Sequence, residues 1–457
     1  MEEPVTPRGD AMTAPCPGSG LPGYWARLRE LGIVRDVGSL GAGGIFAVLI
    51  NVAAGLLIAR WLGPEHYGIA ALVASFPDAV FCVLDARSNA ATVRYLTQFQ
   101  TSGEPARARA MCKLGYCLDV SIALCSVGVV ALASGWAETH LVHSGGAASL
   151  MLVYAAGFVP RALVGTSGAV LVARGKFQLS AGLEVVSSVL RSLLVLAFVF
   201  AGWGISGVIY GGALGNLVSG AIFAVVAARQ IQAAWGGSWF TASLSALRGK
   251  LGEILKFLCY TDLTELLGIP LKQLDLLFLG YFRGPSDAGY YRLAKTLSGL
   301  VAYGVGPLQA VAYPRLTRLV EPGRADELKR LVRSFGWVVG LPGAGAIVLC
   351  SGAAGWLLPA IAGTAYTPAV TPTQVLLLSS AVWTSCFWMR PLFWAQGRAS
   401  VWAATALVHC ILALALFPTM ASAFGATGIA LAVAGLVTLT HALGGLYLAV
   451  RGLAPVK

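Results

Sequence analysis

Residues 38–59, GSLGAGGIFAVLINVAAGLLIA, and residues 67–91, YGIAALVASFPDAVFCVLDARSNAA, are two apolar runs separated only by Arg60-Trp61-Leu62-Gly63-Pro64-Glu65-His66. A helix needs about 20 apolar residues to cross a bilayer core. Each run is therefore one crossing, and the Gly63-Pro64 step is the turn between them. Working outward, ten more runs lie near 113–134, 149–171, 181–203, 205–228, 254–280, 288–312, 336–358, 374–394, 401–422 and 426–450. The composition agrees: 57% of the 457 residues are hydrophobic, 11% are charged, and the mean hydropathy is +0.75. Soluble domains carry about 25% charged residues, so a soluble enzyme is excluded. The expected fold is an all-α polytopic membrane protein of about 12 transmembrane helices in two pseudo-symmetric six-helix lobes.

Charge position gives the orientation. Lys and Arg number 32 against 20 acids, a net charge of +12. Of the cations, 23 fall in the tails and alternate loops on one side, only Arg60 and Arg283 fall on the other, and 7 lie inside the apolar runs. This positive-inside asymmetry assigns both termini to the cytoplasm. The excess charge serves orientation, and no nucleic-acid partner is expected. The polar, Pro- and Gly-rich residues 1–32 read as a disordered tail, 33–229 as an N-lobe, 230–253 as a cytoplasmic interfacial linker, 254–451 as a C-lobe and 452–457 as a second tail. Sliding the halves by 221 residues matches Gly63-Pro64 with Gly284-Pro285, Gly68 with Gly289, and Gly204 and Gly207 with Gly425 and Gly428; a slide of 222 matches Gly175 with Gly397. A repeat after an even number of spans relates the lobes by an axis along the membrane normal, with a working cavity between them.

Several of these residues also carry a family resemblance. Arg60-x-Leu62-Gly63-Pro64-x-x-Tyr67-Gly68 resembles the R-x-LGP-x-x-YG signature of bacterial polysaccharide and lipid-linked oligosaccharide flippases. That family belongs to the multidrug, oligosaccharidyl-lipid and polysaccharide exporter superfamily. Asp85 with Ala91 and Arg94, Gly289-x-Tyr291-x-x-Ala294, Pro314-Arg315-Leu316 and Gly425-Ala426-x-Gly428 extend the match, with Arg87 standing where the family pattern has glycine. The resemblance implies a transporter, not an enzyme. It would flip an undecaprenyl-pyrophosphate-linked oligosaccharide or polysaccharide precursor to the outer leaflet of the bacterial inner membrane by alternating access. Its implied partners are that lipid, membrane lipids and other polysaccharide assembly proteins. It needs no cofactor beyond Na+ or H+ coupling. A multidrug cation antiporter of the same superfamily is the first alternative, and a membrane polysaccharide polymerase or ligase the second.

Charges inside spans are costly and mark cavities or partners. Glu184 with Arg191 and Lys272 with Asp275 read as structural pairs along their helices. Arg87, Arg161 after Pro160, Arg292, Lys295 and Arg390 are the candidate substrate cations, because guanidinium planes engage phosphate oxygens bidentately. Trp383 and Phe387 share a helical stripe with Arg390 and Trp394, a surface on which sugar rings can stack. Asp78, Asp262 and Glu265 are the ion-coupling candidates. His409 and His441, in the last two spans, read as hydrogen-bonded core residues. His140 and His143 are too few ligands for a metal site.

Overall fold

The computed structural model describes residues 33–85, 88–237, 239–266, 273–320 and 324–451. Arg87 and the side chains of Asp262, Glu265 and Lys272 lie outside the described residues.

All regular elements among the described residues are helical. The N-terminal half contains α1 (Ile33–Leu84), α2 (Ser88–Thr101), α3 (Pro105–Ala137), α4 (Ala147–Ala156), α5 (Phe158–Ala173), α6 (Phe177–Phe198) and α7 (Gly204–Trp235). The C-terminal half contains α8 (Leu251–Leu266), α9 (Asp275–Arg283), α10 (Pro285–Leu319), α11 (Ala325–Ser334), α12 (Leu341–Ala362), α13 (Val370–Ser385), α14 (Met389–Ala395) and α15 (Ala399–Arg451). Seven helical stretches are long and apolar enough to cross a membrane. Three of them are two crossings joined at a glycine, at Gly63 within α1, at Gly202 and Gly204 before α7, and at Gly425 within α15. α10, at 35 residues, is also long enough to cross a bilayer but carries more charge.

The sequence repeat is also a repeat of backbone geometry. Gly63 and Gly284 have φ of 74° and 85°, Gly175 and Gly397 have 70° and 71°, and Gly204 and Gly425 have 55° and 58°. Positive φ strains a residue with a Cβ, so these turns demand glycine in both halves. The registers of 221 and 222 residues are therefore those of two lobes built alike.

The lobes meet at one end and part at the other. At the end remote from the termini, the phenol of Tyr366 donates to the carbonyl of Ala59 at 2.9 Å, and Arg60 donates to the carbonyl of Ile361 at 3.1 Å. One core there mixes Ile58, Ala59 and Tyr67 with Leu293, Leu358 and Tyr366, and another joins Leu72 and Phe158 to Leu279 and Phe417. Toward the termini there are two separate cores: Tyr95, Phe99 and Met111 pack among N-lobe helices together with Ile254 and Leu258 of α8, and Leu316, Phe335 and Phe393 pack among the later helices of the C-lobe. The space between these two cores lies on the side that carries both termini.

The linker is folded onto the N-lobe. Trp235 and Leu247 are buried in its core, and the Lys113 ammonium donates to the carbonyls of Phe240 and Ala242 at 3.1 and 3.0 Å. Phe240 and Leu244 remain exposed.

Candidate functional site

Where the two lobes begin to part, charges from four spans converge. On α1, Asp78 lies 15 residues past Gly63, about 22 Å down the helix. Its carboxylate accepts from the Tyr154 phenol at 3.0 Å and meets the Arg161 guanidinium at 3.5 Å. Arg161 stands just after the break between α4 and α5, at Gly157. Pro160 permits this break because it offers no N–H to the preceding turn. The break is held in place by α7, where Gly220 has no side chain to collide with the Pro160 carbonyl. Arg191 on α6 lies near Arg161 and Asp78, and Arg292 of α10, from the opposite lobe, lies near Tyr154. Gly215 on α7 makes room for the Arg191 stem. Arg161, Arg191 and Arg292 are all exposed within the protein. Three guanidiniums thus stand in the neighbourhood of the Asp78 carboxylate, with Arg161 in ion-pair contact, and together they offer cationic partners to an anion.

Arg191 is the residue that the sequence reading gave to a structural pair. Among the described residues it makes no ion pair with Glu184, from which two full turns separate it. The residues one turn away, Ser187, Ser188, Leu194 and Val195, include no acid, a signal that could have marked Arg191 as cavity-facing.

Two further polar cavities lie inside the lobes. In the N-lobe, a cavity of about 250 Å³ is lined by Asp85, Asn89, Asp119 and Arg161. Asp119 accepts from the hydroxyls of Ser88 and Thr166. In the C-lobe, a cavity of about 290 Å³ is lined by Asp275, Tyr291, Lys295, Trp383, His409 and His441. Lys295 belongs to this second cavity, not beside Arg292. Its ammonium lies 2.6 Å from the Asp275 carboxylate, which also accepts from Tyr291 at 2.7 Å. Among the described residues the cation that meets Asp275 is therefore Lys295 of α10; the expected partner Lys272 lies outside them.

The aromatic stripe is not one helical face. The chain breaks between α13 and α14, at Cys386 to Trp388, because Pro391 cannot donate into the turn before it. Phe387 is 2% exposed and packs on Phe335 at 5.5 Å, out of reach of a ligand. Trp383 lines the C-lobe cavity. Arg390 sits 4.5 Å over the Trp394 ring, and Trp394 packs against Tyr313. Tyr313 is 21 residues beyond Arg292 on α10, about 31 Å along the axis, so Arg390 and Arg292 do not share a site. An apolar groove of about 310 Å³, lined by Leu56, Leu297, Val301, Ile347 and Leu377 among others, completes the picture.

A family model described as polysaccharide biosynthesis protein matches residues 57–371. The chain belongs to this polysaccharide biosynthesis protein family. It is 23% identical over 291 residues to the inner membrane protein YghQ of Escherichia coli (strain K12), an alignment covering 63% of this chain and 81% of that protein. Among solved structures, the lipid II flippase MurJ in an inward closed conformation superposes with a TM-score of 0.70 at 14% identity, over 90% of this chain and 87% of MurJ. The inward-facing conformation of a multidrug resistance MATE family transporter of the MOP superfamily gives 0.66 at 16% identity, over 89% and 94%. At these identities the likeness is one of fold. The family member is a multi-pass membrane protein with the two-lobe architecture of that superfamily.

Proposed function

We propose that the protein is an alternating-access flippase for a lipid-linked oligosaccharide or polysaccharide precursor, carried on undecaprenyl pyrophosphate and moved from the cytoplasmic to the outer leaflet. The observation that supports it best is the Arg161–Asp78 ion pair at the junction of the lobes, with Arg191 and Arg292 nearby. Moving a pyrophosphate into hydrocarbon bare is prohibitive. Guanidiniums at mid-depth replace its hydration, and the separated lobe cores leave room for a sugar head. The apolar groove beside Leu297 suits the isoprenoid tail. With the termini in the cytoplasm, as the 23-to-2 division of cations assigns, the space between the cores lies on the side of the leaflet where such precursors are made. The bacterial inner membrane is the setting, and a cation gradient drives the cycle. A cavity rich in guanidinium disfavours the organic cations that a multidrug antiporter carries.

The test is genetic and biochemical. In a host lacking the protein, undecaprenyl-linked oligosaccharide should accumulate on the cytoplasmic leaflet, and Arg161→Ala or Arg292→Ala should fail to restore surface polysaccharide although the protein is made. Unchanged surface polysaccharide together with raised dye sensitivity would overturn the reading in favour of drug export.

A further inference from the structure

We propose that the C-lobe cavity is a proton site, with His409 and His441 as the proton acceptors and the Asp275–Lys295 ion pair as the group that responds to their charge. The proposal rests on the alternating-access reading and supplies it with a coupling site beyond the central cation group.

The two imidazoles are brought to one depth by the fold. His409 and His441 lie 16 residues before and after Gly425, where α15 turns back on itself, so each stands about 24 Å from that turn. They are 8% and 9% exposed. Each has one nitrogen engaged: Nδ1 of His409 lies 2.9 Å from the Thr440 hydroxyl, and Nδ1 of His441 lies 2.8 Å from the Val437 carbonyl. Among the described residues, Nε2 of His409 is buried and has no hydrogen-bond partner. Leaving such a nitrogen unsatisfied costs about 1–3 kcal/mol, so a buried base without a partner in a polar cavity is poised to bind something.

The rest of the lining identifies that ligand. Among the described residues, the titratable groups facing the imidazoles are Asp275 of α9 and Tyr291 and Lys295 of α10; α13 contributes the neutral Ser379, Ser380 and Trp383. Toward the termini, Arg390 and Arg398 sit over the rings of Trp394 and Tyr447. A metal cation would have to displace the Lys295 ammonium from Asp275, the one carboxylate among the described lining residues. A proton needs no vacant ligand, because an imidazole nitrogen receives it directly.

Protonation has a mechanical consequence. With both histidines neutral, the described lining of the cavity holds one anion and one cation and is balanced. Each added proton leaves it one charge positive, which a buried, low-dielectric site resists. The strain is relieved if the cavity opens to water or if Lys295 leaves Asp275. Lys295 stands one turn from Arg292 on α10, so its displacement moves the helix that carries the central guanidinium. Proton occupancy and cavity conformation are then linked, as coupling requires.

The test uses full-length protein in lipid vesicles, with protons as the probe. Trp383 lines the cavity, so wild type minus Trp383→Phe gives its fluorescence alone. That difference should change between about pH 8 and pH 5, the range in which imidazoles titrate, and equally in sodium and choline salts. His409→Gln with His441→Gln should lose the change, and each single substitution should alter it. Thermal unfolding like that of wild type establishes that the variants fold. An absent change, one that survives in the double variant, or one that requires sodium overturns the proposal. In vesicles with an imposed pH gradient, the double variant should flip lipid at a rate indifferent to the gradient; flipping that still follows the gradient also overturns it. A Trp383 response that depends on both histidines, in vesicles that flip no lipid-linked oligosaccharide, supports the proton site and removes the lipid reading.

Discussion

Gly68 and Gly289, 221 residues apart, pack reciprocally across the closed end of the two lobes: a Cβ on Gly68 would overlap the Pro285 carbonyl, and a Cβ on Gly289 would overlap the Pro64 carbonyl. Each lobe thus presses a side-chain-free turn against the backbone that opens the other lobe's helix, and the pseudo-axis runs between them. Backbone carbonyls cannot swing aside as side chains can. Gly68→Val should therefore cost about 1–3 kcal/mol through overpacking, read as a fall in the midpoint of thermal unfolding in detergent. Gly128→Ala, where an added Cβ meets nothing within 4 Å, should leave the midpoint unchanged or raise it.

The Tyr366 phenol is a second fastening at that end. It is fully buried and reaches the Ala59 carbonyl of the other lobe at 2.9 Å. Tyr366→Phe removes only the hydroxyl, so the closed end should weaken by about 0.5–1.5 kcal/mol with the packing kept. A cysteine at Ala362, 2% exposed in the closed end, should then react roughly two- to tenfold faster with a membrane-impermeant maleimide. An unchanged labelling rate would show that the phenol does not hold the lobes together.

Much of this architecture can be read from residues in order. The glycine register that pairs Gly63 with Gly284 and Gly204 with Gly425 is written in the chain because positive φ requires glycine, and local backbone needs leave local marks. The placement of buried charge leaves none. Arg292 and Lys295 are one turn apart, yet Arg292 joins the guanidinium group at the lobe junction while Lys295 is taken by Asp275 inside the C-lobe. Which acid meets which cation depends on how α9 and α10 rotate against α15, a long-range packing outcome that spacing along one helix does not encode. Likewise His409 and His441 look like isolated polar residues until the turn at Gly425 sets them at equal depth.

The Asp275–Lys295 pair makes a measurable case of that packing. Asp275 is 1% exposed at its side chain and Lys295 29%. Lys295→Met leaves a carboxylate almost fully buried with, among the described residues, the Tyr291 hydroxyl and the Leu276 amide as its partners, which should cost about 3–5 kcal/mol. Asp275→Asn should cost less, because the partly exposed ammonium can reach water. Asp275→Asn with Lys295→Met removes both charges and should recover much of the loss, since an uncharged pair no longer needs desolvated partners. Thermal unfolding of the four proteins closes the cycle, and strict additivity of the two single losses would sink the pairing.

At the lobe junction, Asp78 and an incoming anion compete for Arg161. The carboxylate lies 3.5 Å from the guanidinium, with side chains 27% and 46% exposed, so the pair is wet and weak enough to exchange. Asp78→Asn can still accept from Tyr154 through its amide oxygen while giving up the charge that screens the three arginines. Affinity for undecaprenyl pyrophosphate should therefore rise about tenfold in Asp78→Asn, corresponding to 1.4 kcal/mol, and fall by a similar factor in Arg161→Gln. Microscale thermophoresis of the purified proteins gives the order, which should weaken with added salt because the site is open to water. If Asp78→Asn binds more weakly than wild type, the carboxylate is organising the guanidiniums and not competing with the ligand, and the anion would have to dock on Arg191 and Arg292 alone.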